Sequence, residues 1–352
     1  MGHLKKLRIF LGIFKDRASL IKTTLSTKRR TSSIRRTIIR ATTHGVSSPP
    51  PDRRIVAVLS YGHGTRRKAG ACIGALMDRL HGTHNAFVAL KCLFTIHNII
   101  TRGSFILKDQ LSIYPSSGGR NFLNLSMFHE DSNLETWELS SWVRWYAGVL
   151  EKNLTVSRVL GSYLCSSKPN KKNDNDIEEK VLASMSSDLL IEMDVLVGFV
   201  EEISNTPTSL HLQTNDLVYE IVRLVSEDYR SIQREIFFRV VELGYRITSL
   251  SVSELTQLLT DLKRFEDCKE RLSLLFMNRK RNDALWDLVN ETKMEILTAV
   301  NRRLQDKTMV KKIWKRSNDE STELKQLNRF AVSVDGWFGL DRVSLAVSTF
   351  YS

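Results

Sequence analysis

An all-α protein is predicted by three features of the sequence. Apolar residues recur at i, i+3 and i+4 spacing almost without pause from residue 52 onward. Only six prolines interrupt 352 residues. No alternation of period two is sustained long enough for a sheet. Helices of these lengths, joined by short turns, stack as antiparallel pairs in the manner of a solenoid. No exact sequence repeat is present.

Residues 4–14, LKKLRIFLGIF, alternate basic and apolar side chains. On a helix Leu4, Leu7, Leu11 and Phe14 share one face, flanked by Lys5, Lys6 and Arg8. That is the pattern of an interfacial helix, whose apolar stripe enters a lipid surface while its cations meet anionic headgroups. A core-packing first helix explains the amphipathicity equally well. Residues 18–42 read as a second helix with Leu20, Ile21, Leu25, Ile34, Ile38 and Ile39, although its middle, STKRRTSSIRR, is basic and serine-rich. SSPPP (47–51) breaks the chain. YGHGTRRKAG (61–70) reads as a turn.

The segment 84–102 is apolar nearly all round, as a central buried helix is, with Gly103 as its cap. Residues 134–165 read as one long helix started by Asn133 or Ser132. Its buried stripe is Trp142, Trp145, Tyr146, Val149, Leu150, Leu154, Leu160 and Leu164. SSKPNKKNDND (166–176) reads as an exposed loop. Further amphipathic helices are expected over 177–204, 215–247, 252–278 and 281–307. After Met309, VKKIWKRSNDESTELKQLNRF has the pattern of a helix, and the apolar end GWFGLDRVSLAVSTFYS is irregular.

The charge is concentrated. The first 54 residues hold fourteen Lys or Arg and two acidic residues, Asp16 and Asp52, in a chain of net charge +13. One end is therefore addressed to a polyanion while the rest is close to neutral. The apolar content of 42% is that of a globular chain. Cys72, Cys92, Cys165 and Cys268 form no CxxC pair, which fits a reducing cytosolic setting. Leu7–Phe14 is short, cut by Arg8 and followed by no cleavage signal. The most apolar run, Ala86–Ile100, contains Lys91, His97 and Asn98 and is too short to span a bilayer. Gly2 is placed for myristoylation, but Lys6 stands where Ser or Thr is preferred.

No catalytic signature is found: GxxxxGK[ST], GxGxxG after a strand, HExxH and GxSxG are all missing. His63, His81, His84 and His97 do not have the i, i+4 spacing of a helical metal pair. Asp188-Leu189-Leu190 is similar to a short clathrin-binding peptide, but it lies in a helical pattern that favours core packing. The stronger candidate binds phosphate. Arg40-Ala-Thr-Thr-His44 and Asp52-Arg53-Arg54 flank the proline break, so a helix end and a helix start bring two donor clusters together. A solvated basic turn is the alternative.

At these residues the chain resembles a known family, the ANTH-domain clathrin-assembly adaptors of the CALM-like, plant type. RATTHGVSSPPPDRR (40–54) resembles the family's inositide motif. THNAFVALKCLFTIHNIITRG (83–103), LNLSMFHEDS (123–132) with TWELSSWVRWYAGVLEKNL (136–154), and NDLVYEIVRLVSEDYRSIQREI (215–236) are similar to its later signatures, in order. The resemblance implies an ANTH-type superhelical solenoid led by an amphipathic helix. Residues 1–17 would contact membrane and 18–308 would form the ANTH domain, with a core of about 25–165 and a helical extension over 177–308. Residues 309–352 would be a short, partly disordered C-terminal segment.

The function implied is that of a non-enzymatic peripheral adaptor without cofactor. It would bind phosphatidylinositol 4,5-bisphosphate, act with clathrin heavy chain directly or through others, and select vesicle SNAREs. Its implied locations are plasma-membrane coated pits, clathrin-coated vesicles and Golgi membranes. Arg40 stands at the family's first lysine, His44 at its histidine and Arg53 at a basic position of the second cluster. Arg54 replaces a histidine, and Pro51 falls where a lysine is usual. The stretch containing Lys28, Arg29 and Arg30 offsets that lysine, since each near-surface cation contributes about 1 kcal/mol. The chain contains no NPF or DPF tripeptide. A helical nucleic-acid-binding protein with a basic arm is the competing reading, but such an arm has no need of an apolar face, so no nucleic acid is expected.

Overall fold

The computed structural model describes residues 2–25, 29–44, 47–112, 123–164, 171–276 and 283–318. Side chains of residues 2–9, 22–25, 29–31, 171–173, 283, 304 and 306–318 lie outside that description. The described residues form α-helices joined by turns and two short 3-10 segments, with no strand among them. The expected all-α class is what the chain adopts.

The N-terminal half contains α1 (Gly2–Leu25), α2 (Arg29–Ala41), α3 (Asp52–Leu59), α4 (Arg66–His81), α5 (Ala86–Arg102), α6 (Phe105–Ser112) and α7 (Leu134–Val159). The extension contains α8 (Lys171–Ala183), α9 (Ser186–Ser204), α10 (Asp216–Tyr245), α11 (Val252–Asp267), α12 (Lys269–Leu275) and α13 (Asp283–Asn318). Residues 1–300 form one compact unit and 301–352 a second. Within the first unit α2 packs on α1, α3 and α4, and α5 packs on α7. The α9 helix packs in turn against α7, α10 and α11.

The α5 helix is buried from Val88 to Ile100, as its all-round apolar sequence requires. Asn85 caps its start by accepting from the Val88 N–H. At its end Gly103 sits so close that a Cβ would lie 2.4 Å from the Ile99 carbonyl oxygen. A capping box of Asn133 and Thr136 opens α7. Three helices are cross-linked by a buried polar network. His97 of α5 meets the Tyr146 hydroxyl of α7 at 2.8 Å and Asp228 of α10 at 3.1 Å. Asn153 of α7 donates to the same Asp228 carboxylate at 2.8 Å. The network is only partly satisfied: among the described residues His97 Nε2 meets Asp228 without hydrogen-bond geometry, and Asp228 Oδ1 has no hydrogen-bond partner.

Several boundaries differ from the sequence reading. The expected helices 4–14 and 18–42 are instead α1, continuous to Leu25, and α2 from Arg29. The KKNDND part of the expected 166–176 loop is helical from Lys171. The expected helix 177–204 breaks at Met185, whose backbone is extended. There Arg246 donates to the carbonyls of Leu182 and Ser184, satisfying acceptors that α8 leaves open. The expected helix 134–165 stops at Val159, where Gly161 takes a φ of 65°. The α11–α12 junction at Cys268 divides 252–278 with an i−3 bond to Phe265. Apolar periodicity runs straight through that junction, so sequence alone does not mark it. The α13 helix continues past 307 to Asn318, and GWFGLDRVSLAVSTFYS lies outside the described residues. Leu189 and Leu190 are buried in α9, as the core reading of Asp188-Leu189-Leu190 expects.

Candidate anion and membrane site

The site begins with the C-terminus of α2. Ile34, Ile38 and Ala41 are buried there, leaving Arg40 exposed on the opposite side. The last carbonyls of any helix lack intrahelical partners and carry the negative end of its dipole. Here three cations collect on them. Arg54 donates to the Arg40 carbonyl at 2.6 Å, Arg79 of α4 to the Thr42 carbonyl at 3.1 Å, and Lys91 of α5 to the Thr43 carbonyl at 2.8 Å. Thr42, fully buried, closes the turn through its own hydroxyl to the Ile38 carbonyl.

The chain then turns at the prolines into α3. Arg53 and Arg54 lie in that helix's first turn, beside the positive end of its dipole. Arg53 is exposed and Arg54 half-buried. Asp52, also in this turn, pairs with Arg102 at 2.6 Å. Two cations are thus placed where helix electrostatics disfavour them, on a surface that already holds Arg40.

One carboxylate enters the cluster, from α1. Asp16 accepts from the His44 backbone N–H through Oδ2 at 2.9 Å. Its Oδ1 lies 2.9 Å from His44 Nδ1 and 2.8 Å from Arg79 Nη2. Burial opposes ionisation of Asp16, but the His44 hydrogen bonds and the His44 and Arg79 charges outweigh it, so its carboxyl titrates below the usual range. Lys91 is pushed down to about 8, first by burial and then by the charge of Arg54, with Asp16 and Cys92 opposing.

Gly12, one turn before Asp16, allows α1 to lie against the His44 ring, since a Cβ there would sit 2.8 Å from His44 Cβ. On its other side α1 exposes Phe10 (72%), Leu11 (55%), Phe14 (72%) and Ile21 (60%). At 100° per residue Phe10, Phe14, Leu11 and Ile21 fall on one face, and Leu4 and Leu7 join it by register. Leu4, Lys5, Lys6, Leu7 and Arg8 belong to α1, and Arg29 and Arg30 to the first turn of α2, with side chains outside the described residues; Lys28 lies wholly outside them.

Of the residues singled out from sequence, the structure brings Arg40, His44 and Arg54 to one turn and sets Arg53 beside it. Asp16, Arg79 and Lys91 were not singled out. Arg79 and Lys91 come from other helices, and only the packing of α4 and α5 on α2 delivers them. Asp16 left one signal, as one of two acids in a strongly basic segment.

Fold and cluster together define a helical domain whose N-terminal end concentrates cations around a helix terminus, with an apolar helix face alongside. The model of the ANTH domain matches residues 33–282. An Arabidopsis thaliana protein named "Putative clathrin assembly protein At4g40080" is 43% identical over 299 residues, covering 83% of this chain and 82% of its own. "Putative clathrin assembly protein At5g10410" of the same plant is 33% identical over 304 residues, covering 84% and 87%. "Putative clathrin assembly protein At5g65370" is 30% identical over 312 residues, covering 83% and 99%. The chain belongs to the ANTH domain family. The family match starts at Ser33, so α1 precedes it.

Proposed function

We propose that the protein is a non-enzymatic peripheral membrane adaptor of the clathrin pathway. It binds phosphatidylinositol 4,5-bisphosphate through Arg40, His44, Arg53 and Arg54, and inserts the apolar face of α1 into the same leaflet. It supports clathrin-coated vesicle formation and the selection of vesicle SNAREs, at plasma-membrane coated pits, on coated vesicles and at Golgi membranes. The clathrin part of this reading rests on the names of its relatives. The membrane part rests on one observation: exposed cations at the α2–α3 junction stand beside a helix that turns Phe10, Leu11 and Phe14 away from the domain. Among the described residues no helix is long and apolar enough to cross a membrane. Attachment through these features is therefore by headgroup contact and shallow insertion.

Flotation with a panel of lipid vesicles tests this reading. The protein is expected to float with vesicles carrying phosphatidylinositol 4,5-bisphosphate and to remain behind with pure phosphatidylcholine. The double variant Leu7→Glu/Leu11→Glu is expected to lose most of that flotation. Unchanged flotation of the variant, together with strong salt-dependent RNA binding by the wild type, overturns the adaptor reading in favour of a nucleic-acid arm.

A further inference from the structure

We infer that Asp16 is a built-in competitor for the phosphate ligand: its carboxylate fills the anion seat between His44 and Arg79, and a phosphate monoester taking that seat expels Asp16 and frees α1 from the domain. This inference deepens the function proposed above and rests on it.

The donor set around Asp16 is one that a phosphate oxygen also wants. A backbone N–H, an imidazole nitrogen and a guanidinium converge on its two oxygens, all within 2.9 Å. The seat is built, with the Asp16 side chain only 7% exposed and His44 and Arg79 at 15% and 19%. Further positive charge stands behind it in Lys91 and Arg54. A phosphate monoester brings about −1.5 to −2 charge at neutral pH and three acceptor oxygens, against one charge and two oxygens for Asp16. The two anions exclude each other from one seat, and the ligand is the stronger occupant.

Expelling Asp16 releases α1 because little else on this stretch is buried. Between residues 10 and 21 only Gly12 and Asp16 are buried, and Gly12 contributes no side chain. The bulky apolar residues Phe10, Leu11 and Phe14 face away from the domain. Among the described side chains of α1 the Asp16 ion pair is the buried polar anchor, and the exposed apolar face is already shaped for another surface. Linkage makes the coupling reciprocal: when α1 leaves for a bilayer, it takes the competing carboxylate with it and headgroup affinity rises. Each contact alone is weak, and the two together are cooperative.

Two measurements test it. The first is titration of wild type and Asp16→Asn with soluble inositol 1,4,5-trisphosphate. The variant is expected to bind about fivefold tighter or more; equal or weaker binding, which is the result if Asp16 only organises the cations, overturns the inference. The second is hydrogen exchange of residues 12–25 in the wild type, which needs no variant and decides alone should Asp16→Asn fail to fold. Exchange in α1 is expected to accelerate when the soluble trisphosphate frees it, and to slow on vesicles carrying phosphatidylinositol 4,5-bisphosphate, where the freed helix enters the leaflet. Slower exchange with the trisphosphate, or unchanged exchange in both arms despite binding, overturns the inference. Acceleration by the trisphosphate supports a free phosphate as sufficient, and a change only with the phosphoinositide vesicles supports the lipid headgroup as the source. An equal change with pure phosphatidylcholine vesicles overturns a phosphate trigger. Phosphate binding with α1 exchange unchanged sinks this inference and leaves the proposed function standing, whereas no phosphate binding by either protein in any form sinks both.

Discussion

Two buried aspartates, one near each end of the first unit, are shifted in opposite directions. Asp16 lies among His44, Arg79 and, further off, Lys91, and its carboxyl is drawn below the usual range despite burial. Asp261 of α11 is equally buried but stands near Asp194 and Glu201, with Arg264 shared among all three. Burial first, and the charge of Asp194 next, push Asp261 up to about 6 against the pull of Arg264. The N-terminal end holds cations in excess around one acid, whereas the extension holds acids in excess around one cation. An excess of cations is a standing invitation to an external anion. The acid cluster at Arg264 is instead internal cross-linking, joining α9 to α11. Charge of either sign can be structural, and what separates the two regions is whether the surplus is spent inside the fold.

The largest effect is expected where that surplus is reversed. Arg40→Glu with Arg53→Glu changes four units of charge at the surface, and at about 1 kcal/mol per near-surface charge the loss is roughly a thousandfold in vesicle affinity. The matched reversal Arg230→Glu/Lys263→Glu, at exposed cations of α10 and α11, is expected to leave flotation near wild type. Equal losses from both pairs would mean that net charge alone attracts the membrane, and the comparison of the two ends would break.

The extension gives the next largest effect, read as stability. A carboxyl whose folded pKa is raised contributes stability present below its unfolded pKa, which is lost as pH rises through the folded value. Asp261 is therefore a burden at pH 7 that is relieved between about 6 and 4. Asp261→Asn keeps an oxygen for Arg264 and is expected to stabilise by about 1–2 kcal/mol at pH 7. Urea unfolding at pH 7 and pH 4 checks this, since the advantage should vanish at the lower pH. A gain of the same size from Asp16→Asn at pH 7 would contradict the contrast drawn here. Asp16 has a depressed pKa, so its contribution is present at neutral pH and lost only as pH falls through that depressed value.

Much of this was legible in the sequence. Period and caps located α5, α10 and the start of α7 to within a few residues, because amphipathicity and capping are local. The breaks at Met185 and Cys268 were not legible, because the apolar stripe continues across both and one is secured by Arg246, about sixty residues away. The cation cluster was half legible. Arg40, His44, Arg53 and Arg54 are neighbours in sequence, while Arg79 and Lys91 reach the same turn only through packing. Lys91 in particular read as a blemish in an apolar run, yet it is the cation that Thr43 holds.

Lys91 also gives the cluster a pH dependence just above neutrality. With its pKa at about 8, Lys91 loses its charge just above neutral pH. Phosphate binding favours the charged form, so affinity should fall as pH rises from about 7.5 to 9.5, by a factor of roughly two to five for one charge set back from the surface. A flat profile in Lys91→Met would assign that fall to Lys91. An equal fall in the variant would assign it elsewhere.

The smallest effect is the most diagnostic of design for binding over design for stability. Arg53 sits in the first turn of α3, where the dipole repels cations. Asp52 beside it has its charge engaged by Arg102. Arg53→Gln removes the repulsion and is expected to stabilise the domain by about 0.3–0.5 kcal/mol at low ionic strength, with the gain shrinking as salt screens it. The same variant should weaken flotation with phosphoinositide vesicles. A position where one substitution improves the fold and harms binding is one whose side chain the fold does not need. The opposite pattern, lower stability with unchanged flotation, would make Arg53 an ordinary surface cation and move the headgroup contact to Arg40 and His44.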